Sequence, residues 1–237
     1  MMKPQTFLNY VLVMLLTMVG VSNVSADETT LTEQERAMIP IAAFAASGEM
    51  DALTQSIENG LAAGLTVNQM QEMLAQLYAY AGFPRSLNAM GTLQSVVEAK
   101  EEAGESVEYG PAASPFPDDY DSLENGTANQ TELIGRPVSG GLYDFAPVID
   151  EFLKAHLFGD IFQRDVLSWK ERELVTIATL ANLSGVNSQL GAHYFISLNN
   201  GLTPDQLKAF TEVLEASVSA AAAENAKAVL EQVLSRF

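Results

Sequence analysis

The chain carries two histidines, His156 and His193, and no cysteine. His193 has the spacing that acid–base chemistry asks for, because it follows Glu173 by one helix and a turn. A carboxylate that accepts the proton of one imidazole nitrogen fixes the tautomer and leaves the other nitrogen as acid or base. Proton transfer at a carbon beside a carbonyl needs such an acid or base and something to stabilise the developing charge. A Glu–His pair in an apolar pocket supplies the first. On a helix His193 shares a face with Leu190, Tyr194 and Ser197, and Glu173 shares one with Ile177 and Leu180, so both are expected to point inward. The same pair would serve equally as a buried structural bond, and spacing alone leaves both roles open. His156 lies near the end of an amphipathic segment, where a protonated imidazole is favoured anyway, and is expected to be structural.

The second cluster is Tyr78-Ala79-Tyr80-Ala81-Gly82-Phe83-Pro84-Arg85, far from His193 in sequence. Its tyrosines are candidate hydrogen-bond donors and Arg85 a candidate anion holder. They also read as core aromatics at a helix break and a surface cap. The absence of cysteine excludes thiol chemistry. Two histidines exclude a multi-histidine zinc site, and no motif calls for a metal or an organic cofactor. No phosphate-binding glycine loop and no nucleophile elbow occurs.

The elements that must position these residues are helical. Thr32-Glu33-Gln34-Glu35, Thr66-Val67-Asn68-Gln69, Ser168-Trp169-Lys170-Glu171 and Thr203-Pro204-Asp205-Gln206 are capping boxes, each opening a helix. They predict helices over 32–47, 49–63, 66–81 and 84–101, then 168–184, 186–200, 203–222 and 224–236. The two sets are copies. A shift of 137 places Ser47-Gly48 on Ser184-Gly185, Leu53 on Leu190 and Gly64-Leu65-Thr66 on Gly201-Leu202-Thr203. Under it Ser56 stands at the position of His193, and Arg36 or Ala37 at that of Glu173. Conversely, Ser217-Val218-Ser219 replaces the Tyr-Gly-Pro stretch. Each copy keeps what the other has lost.

Between the copies, 102–141 is acidic and proline-containing and reads as an exposed connector. A further helix is expected over 144–157. The expected domains are therefore 27–101 and 142–237. Before them, Lys3, the apolar run Tyr10 to Val21 and Val24-Ser25-Ala26 have the layout of a cleaved export signal over 1–26. An exported protein, periplasmic or extracellular, is the expectation. Beyond that signal, 30 acidic side chains face 11 basic ones (12 less Lys3), a net charge near −19. Such a surface repels phosphate backbones and anionic head groups, so neither nucleic acid nor membrane is an expected partner.

The ordered set Arg172-Glu173-Leu174, His193 and Asn199-Asn200-Gly201-Leu202-Thr203, with the Tyr-Ala-Gly-x-Pro stretch, resembles the carboxymuconolactone decarboxylase family of the alkylhydroperoxidase D-like superfamily. The resemblance implies an all-α fold of two tandem domains packed as a pseudo-dimer. The superfamily's peroxidase branch uses cysteines four and seven residues before the histidine. Gln189 and Val186 stand there, so peroxidase activity would be an inherited label only. The decarboxylase branch implies acid–base chemistry on a small carboxylated lactone or keto acid without a cofactor. His193, Glu173 and Tyr80 are then the expected catalytic residues, with Tyr80 donating to a carbonyl or enolate oxygen. Arg85, Tyr78 and Asn199 are the expected substrate-binding residues of one composite pocket. A helical scaffold or small-ligand binder that has lost the chemistry is the alternative. Family assembly implies self-association, a trimer of the fused chain being the natural form.

Overall fold

The computed structural model describes residues 30–237, so the expected export signal lies outside the described residues. Among the described residues there are eleven α-helices, one π-helical segment and no strand. The first copy comprises α1 (Glu33–Ser47), α2 (Met50–Ala62), α3 (Val67–Ala81) and α4 (Phe83–Glu102). The second comprises α8 (Trp169–Ala181), α9 (Asn187–Asn199), α10 (Pro204–Ser217) and α11 (Ala220–Leu234). Between them lie α5 (Ser122–Ile134), the short α6 (Leu142–Phe145) and α7 (Pro147–Glu151), and the π-helical segment Phe152–Ile161.

All four capping boxes form. The hydroxyls of Thr32, Thr66, Ser168 and Thr203 each accept the backbone N–H three residues on, and the Glu or Gln there reaches back to the cap. The reciprocal bonds satisfy two of the donors that a helix start leaves open. Gly64 and Gly201 occupy corresponding turns at φ 89° and 95°, a left-handed conformation that a side chain would resist.

The copies pack about a pseudo-twofold. Helix α1 lies on α8, its counterpart, while α3 packs on α8 and α10 packs on α1. The apolar faces merge, so Ile39, Ile41 and Met70 of the first copy share one core with Ile177, Leu190 and Phe210 of the second. Neither copy closes its own core.

Three expectations need correction. The connector 102–141 is not wholly an exposed strap, because residues 122–134 form α5. Asp121 caps it, accepting from the Glu124 amide, and Gly135 ends it in the left-handed region. Its composition hides it because α5 buries Gly126, Gln130 and only one large apolar side chain, Leu133. A Cβ on Gly126 would overlap the Lys154 carbonyl, and one on Gly159 would overlap that of Ser122. The remaining strap is also tied down: the carbonyls of Glu108 and Tyr109 accept the amides of Val67 and Asn68 at the start of α3.

The helix expected over 144–157 breaks at Ala146 (φ −130°, ψ 70°) and widens into the π-helical segment. The helix expected over 203–222 stops at Ser217. There the hydroxyl of Ser219 caps the Ala222 amide, so the alanine run opens α11 instead of closing α10.

Candidate functional site

Helix α3 crosses α8 with polar side chains four residues apart on one face. Glu72 and Gln76 are buried, and Tyr80 follows one turn later. Opposite them, Arg172, Glu173 and Thr176 of α8 are all fully buried. The Arg172 guanidinium donates from Nη1 to Gln76 Oε1 at 3.1 Å and from Nη2 to Glu72 Oε2 at 3.1 Å and the Arg164 carbonyl at 2.8 Å. Gln76 Nε2 answers by donating to the Arg172 carbonyl at 2.9 Å and to Thr176 Oγ1 at 2.8 Å. Arg164 closes a two-pronged bond on Glu72, with Nε and Nη2 at 2.8 and 2.7 Å from Oε1. Phe162 lies under the Arg172 guanidinium at 6.0 Å.

This ladder holds the Glu72 carboxyl below its ordinary range: burial pushes it up, but the bonds and charges of Arg164 and Arg172 together win. On the other side of the pseudo-twofold, Ala209, Val213 and Ser217 fall at the positions of Glu72, Gln76 and Tyr80 under the 137 shift. The polar seam is built once only.

At the end of the seam, His193 of α9 meets Glu173. Its Nδ1 is 2.8 Å from Glu173 Oε2, and the imidazole is 12% exposed while the carboxylate is fully buried. With Nδ1 bonded to the carboxylate, Nε2 is the uncommitted nitrogen. The Tyr80 ring, from the first copy, stands edge-on to the imidazole with centroids 5.5 Å apart. Its hydroxyl is buried without a hydrogen-bond partner, as is the second oxygen of Glu173. Burial, then the charge of Glu173, pushes the Tyr80 phenol well above its ordinary range. The hydroxyl thus faces the seam and is shielded from solvent.

The other expected site residues go elsewhere. Tyr78 stacks on Phe83 with centroids 4.3 Å apart, and its ring lies 5.6 Å from that of His156. Arg85 is exposed and lays its guanidinium over Gly48 in the α1–α2 turn. Asn199 donates to the Ile134 carbonyl at 3.1 Å, while Asn200 donates to Leu133 at 3.0 Å. Together they cap the C-terminal end of α5. In the first copy, Ser56 turns its hydroxyl back to the Ala52 carbonyl, and Arg36 is exposed.

Sequence reasoning passed over Glu72, Gln76 and Arg164, and named Arg172 only as part of a motif. A signal did exist, in polar residues recurring at 72, 76 and 80 along an otherwise apolar helix face. Apart from this site, an open groove of about 610 Å³ lies between the α8–α9 turn and the start of α11, lined by Asn182, Ser184, Asn187 and Asn225 among others.

Two comparisons bear on this geometry. The profile of the Carboxymuconolactone decarboxylase family matches residues 15–95 and 147–232, one segment in each copy. A 4-carboxymuconolactone decarboxylase from Acinetobacter baylyi is 32% identical over 94 residues, covering 38% of this chain and 69% of the relative.

Proposed function

Because the chain belongs to the carboxymuconolactone decarboxylase family, we propose that His193, oriented by Glu173, is the acid–base group of an enzyme acting on a small carboxylated lactone or keto acid. The observation that carries this reading is the 2.8 Å His193–Glu173 bond at the end of a buried seam, with the imidazole edge reaching solvent. In such a reaction the bond to the leaving carboxylate breaks and CO2 departs without the electron pair. The pair passes into the neighbouring carbonyl as an enolate, and carbon then takes a proton from Nε2. Glu173 stabilises the imidazolium that donates, and solvent returns the proton at the exposed edge. Tyr80 is read here as the ring that fixes the imidazole plane, because its hydroxyl is buried.

The test is CO2 release and solvent-deuterium incorporation on a panel of carboxylated lactones and β-keto acids. His193→Gln is expected to lower turnover by roughly 10²-fold or more, beyond what a stability loss of about 1–3 kcal/mol from the orphaned Glu173 carboxylate would explain while the fold is retained. A second reading, a helical scaffold or ligand binder, draws on the groove beside α11, which lies apart from the pair. It predicts no turnover in either protein.

Two context readings accompany the chemistry. Export is supported by Lys3, the apolar run at 10–21 and the small residues Val24-Ser25-Ala26; the N-terminus of the chain recovered from its host tests it, cleavage after Ala26 being the expected result. Self-association is supported by a strip of exposed apolar side chains, Leu142, Phe145, Val148, Ile149 and Phe152; a trimer is the form that family assembly suggests.

A further inference from the structure

Under the 137 shift an outer groove of one copy falls on that of the other. In the first copy, α2 and α4 border a groove of about 310 Å³ lined by Thr54, Glu58, Thr92 and Lys100 among others. Glu105 of the connector reaches onto it and pairs with Lys100 at 2.7 Å. In the second copy, α9 and α11 border the equivalent groove, of about 430 Å³. There Gly191 stands for Thr54, Phe195 for Glu58, Val229 for Thr92 and Phe237 for Lys100. Four polar positions of the first groove are thus apolar or bare in the second. Its lining comes from α9, α11 and the following Arg236 and Phe237 alone, so among the described residues no connector crosses it. Phe195 and Phe237 stand edge-on at its rim with centroids 6.0 Å apart, both exposed. An apolar lining open to water in this way marks a contact face.

The chain carries a segment of matching character. Helices α6 and α7 pack chiefly on each other and on the π-helical segment, and Leu142, Phe145, Val148, Ile149 and Phe152 are left facing solvent. At about 200 Å² for a whole phenylalanine side chain, the five offer on the order of 500 Å² of apolar surface, the greater part of the ~800 Å² a side that a stable contact buries. Charge fits as well. Asp144 and Glu151 of the segment are exposed, and the groove ends at Arg236, exposed and without an ion-pair partner among the described residues. Between chains of net charge −18, a cation at the receiving end offsets part of the repulsion that opposes contact.

Resting on the self-association reading, we infer that the apolar segment 142–152 of one copy occupies the α9–α11 groove of the next. Segment and groove are different surfaces, so the contact runs head to tail, and a ring of three fills every groove and covers every segment. Gly191 and Phe195 each stand two residues from His193, on the opposite side of α9, so the groove is distinct from the His193–Glu173 pair.

The test is sedimentation of two variants, singly and mixed. Phe195→Glu installs the residue that the first copy carries at the corresponding position, Glu58, and Phe145→Asp alters a side chain that is mostly exposed. Neither should change the helical signal. Each alone, at on the order of ten micromolar, is expected to sediment as one chain where the wild type sediments as three. Mixed in equal amounts they should form a pair, because Phe145→Asp keeps its groove and Phe195→Glu keeps its segment. The pair ends there, since both remaining surfaces are altered. One contact lacks the reinforcement of a closed ring, so the mixture is read at about tenfold higher concentration. Gly191→Thr probes the groove a second way: a Cβ there meets Val229 at an ordinary 3.5 Å, so the fold accepts it while the groove floor rises, and association should weaken about tenfold.

If Phe195→Glu and Gly191→Thr keep the wild-type mass while Phe145→Asp gives one chain, the segment meets another surface; the inference is overturned and self-association stands. A mixture that stays at one chain overturns the head-to-tail contact. A single-chain mass for the wild type removes both readings.

Discussion

At the scale of single residues, the buried hydroxyl of Tyr80 makes two opposite demands. Without a partner it loses its hydrogen bonds to water and gains none in return. Tyr80→Phe is therefore expected to leave stability within about 0.5 kcal/mol of the wild type, or to raise it, in a urea melt. A loss well beyond that would mean the hydroxyl is bonded. The ionisation argument has a definite sign. Burial, together with the Glu173 charge at Tyr80, holds the phenols of Tyr80 and Tyr194 above the ordinary value of 10.0. The fold keeps these protons at a pH where the unfolded chain releases them. Stability from both is complete below about pH 10 and declines as pH rises above it. Phenolate absorbance should show these two groups titrating only as the helical signal is lost, and Tyr80→Phe should make the alkaline decline shallower. Of this residue-scale picture, the sequence made His193 and Glu173 legible, because a helical period puts each beside apolar residues. It could not show where the Tyr80 hydroxyl points, since that depends on how α3 crosses α8.

Between elements, the α3–α8 seam sets the argument. Arg172 is fully buried and its carboxylate partner is Glu72. Glu72→Gln removes the counter-charge and leaves the guanidinium in the core, an arrangement that costs about 3–5 kcal/mol. Pairing it with Arg172→Met should recover most of that loss, because an apolar side chain of similar length can replace the buried ion. A double-mutant cycle read by denaturant melts checks this; additive losses would show that the two side chains do not act as a pair. The pH sign follows from the depressed Glu72 carboxyl. Its contribution is present above the unfolded value near 4.5 and is lost as pH falls through the lower folded value. The acid limb of stability should accordingly be steeper in the wild type than in Glu72→Gln. A second contact depends on the lack of a side chain. Gly126→Ala places a methyl on the Lys154 carbonyl and should cost about 1–3 kcal/mol, by overpacking α5 against the π-helical segment. These features were the least legible ones. Glu72 and Arg172 lie 100 residues apart, and α5 lacks the apolar stripe by which a packed helix is normally recognised.

For the whole molecule, duplication explains why one site exists where symmetry permits two. The pseudo-twofold brings α3 onto α8 and α10 onto α1 in the same way, yet only the first interface carries the polar ladder and the His–Glu pair. The repeated caps and turn glycines made the duplication readable, because they are local signals whose meaning does not depend on a partner. Duplication also sets the apolar surface left over. With both copies sharing one core, the strip on α6, α7 and the start of the π-helical segment has no partner among the described residues, and Phe145 is 86% exposed. Phe145 and Phe152 together present enough apolar area to matter in association. A trimer predicts a sedimenting mass three times that of the chain, at concentrations on the order of ten micromolar for a Kd in the micromolar range. Phe145→Asp should shift that mass toward one chain without changing the helical signal, since the side chain it replaces touches mostly solvent. A single-chain mass for the wild type at that concentration would remove the assembly reading. The His193–Glu173 pair would be unaffected by that result, because both of its residues, and the tyrosine that packs on them, come from the same chain.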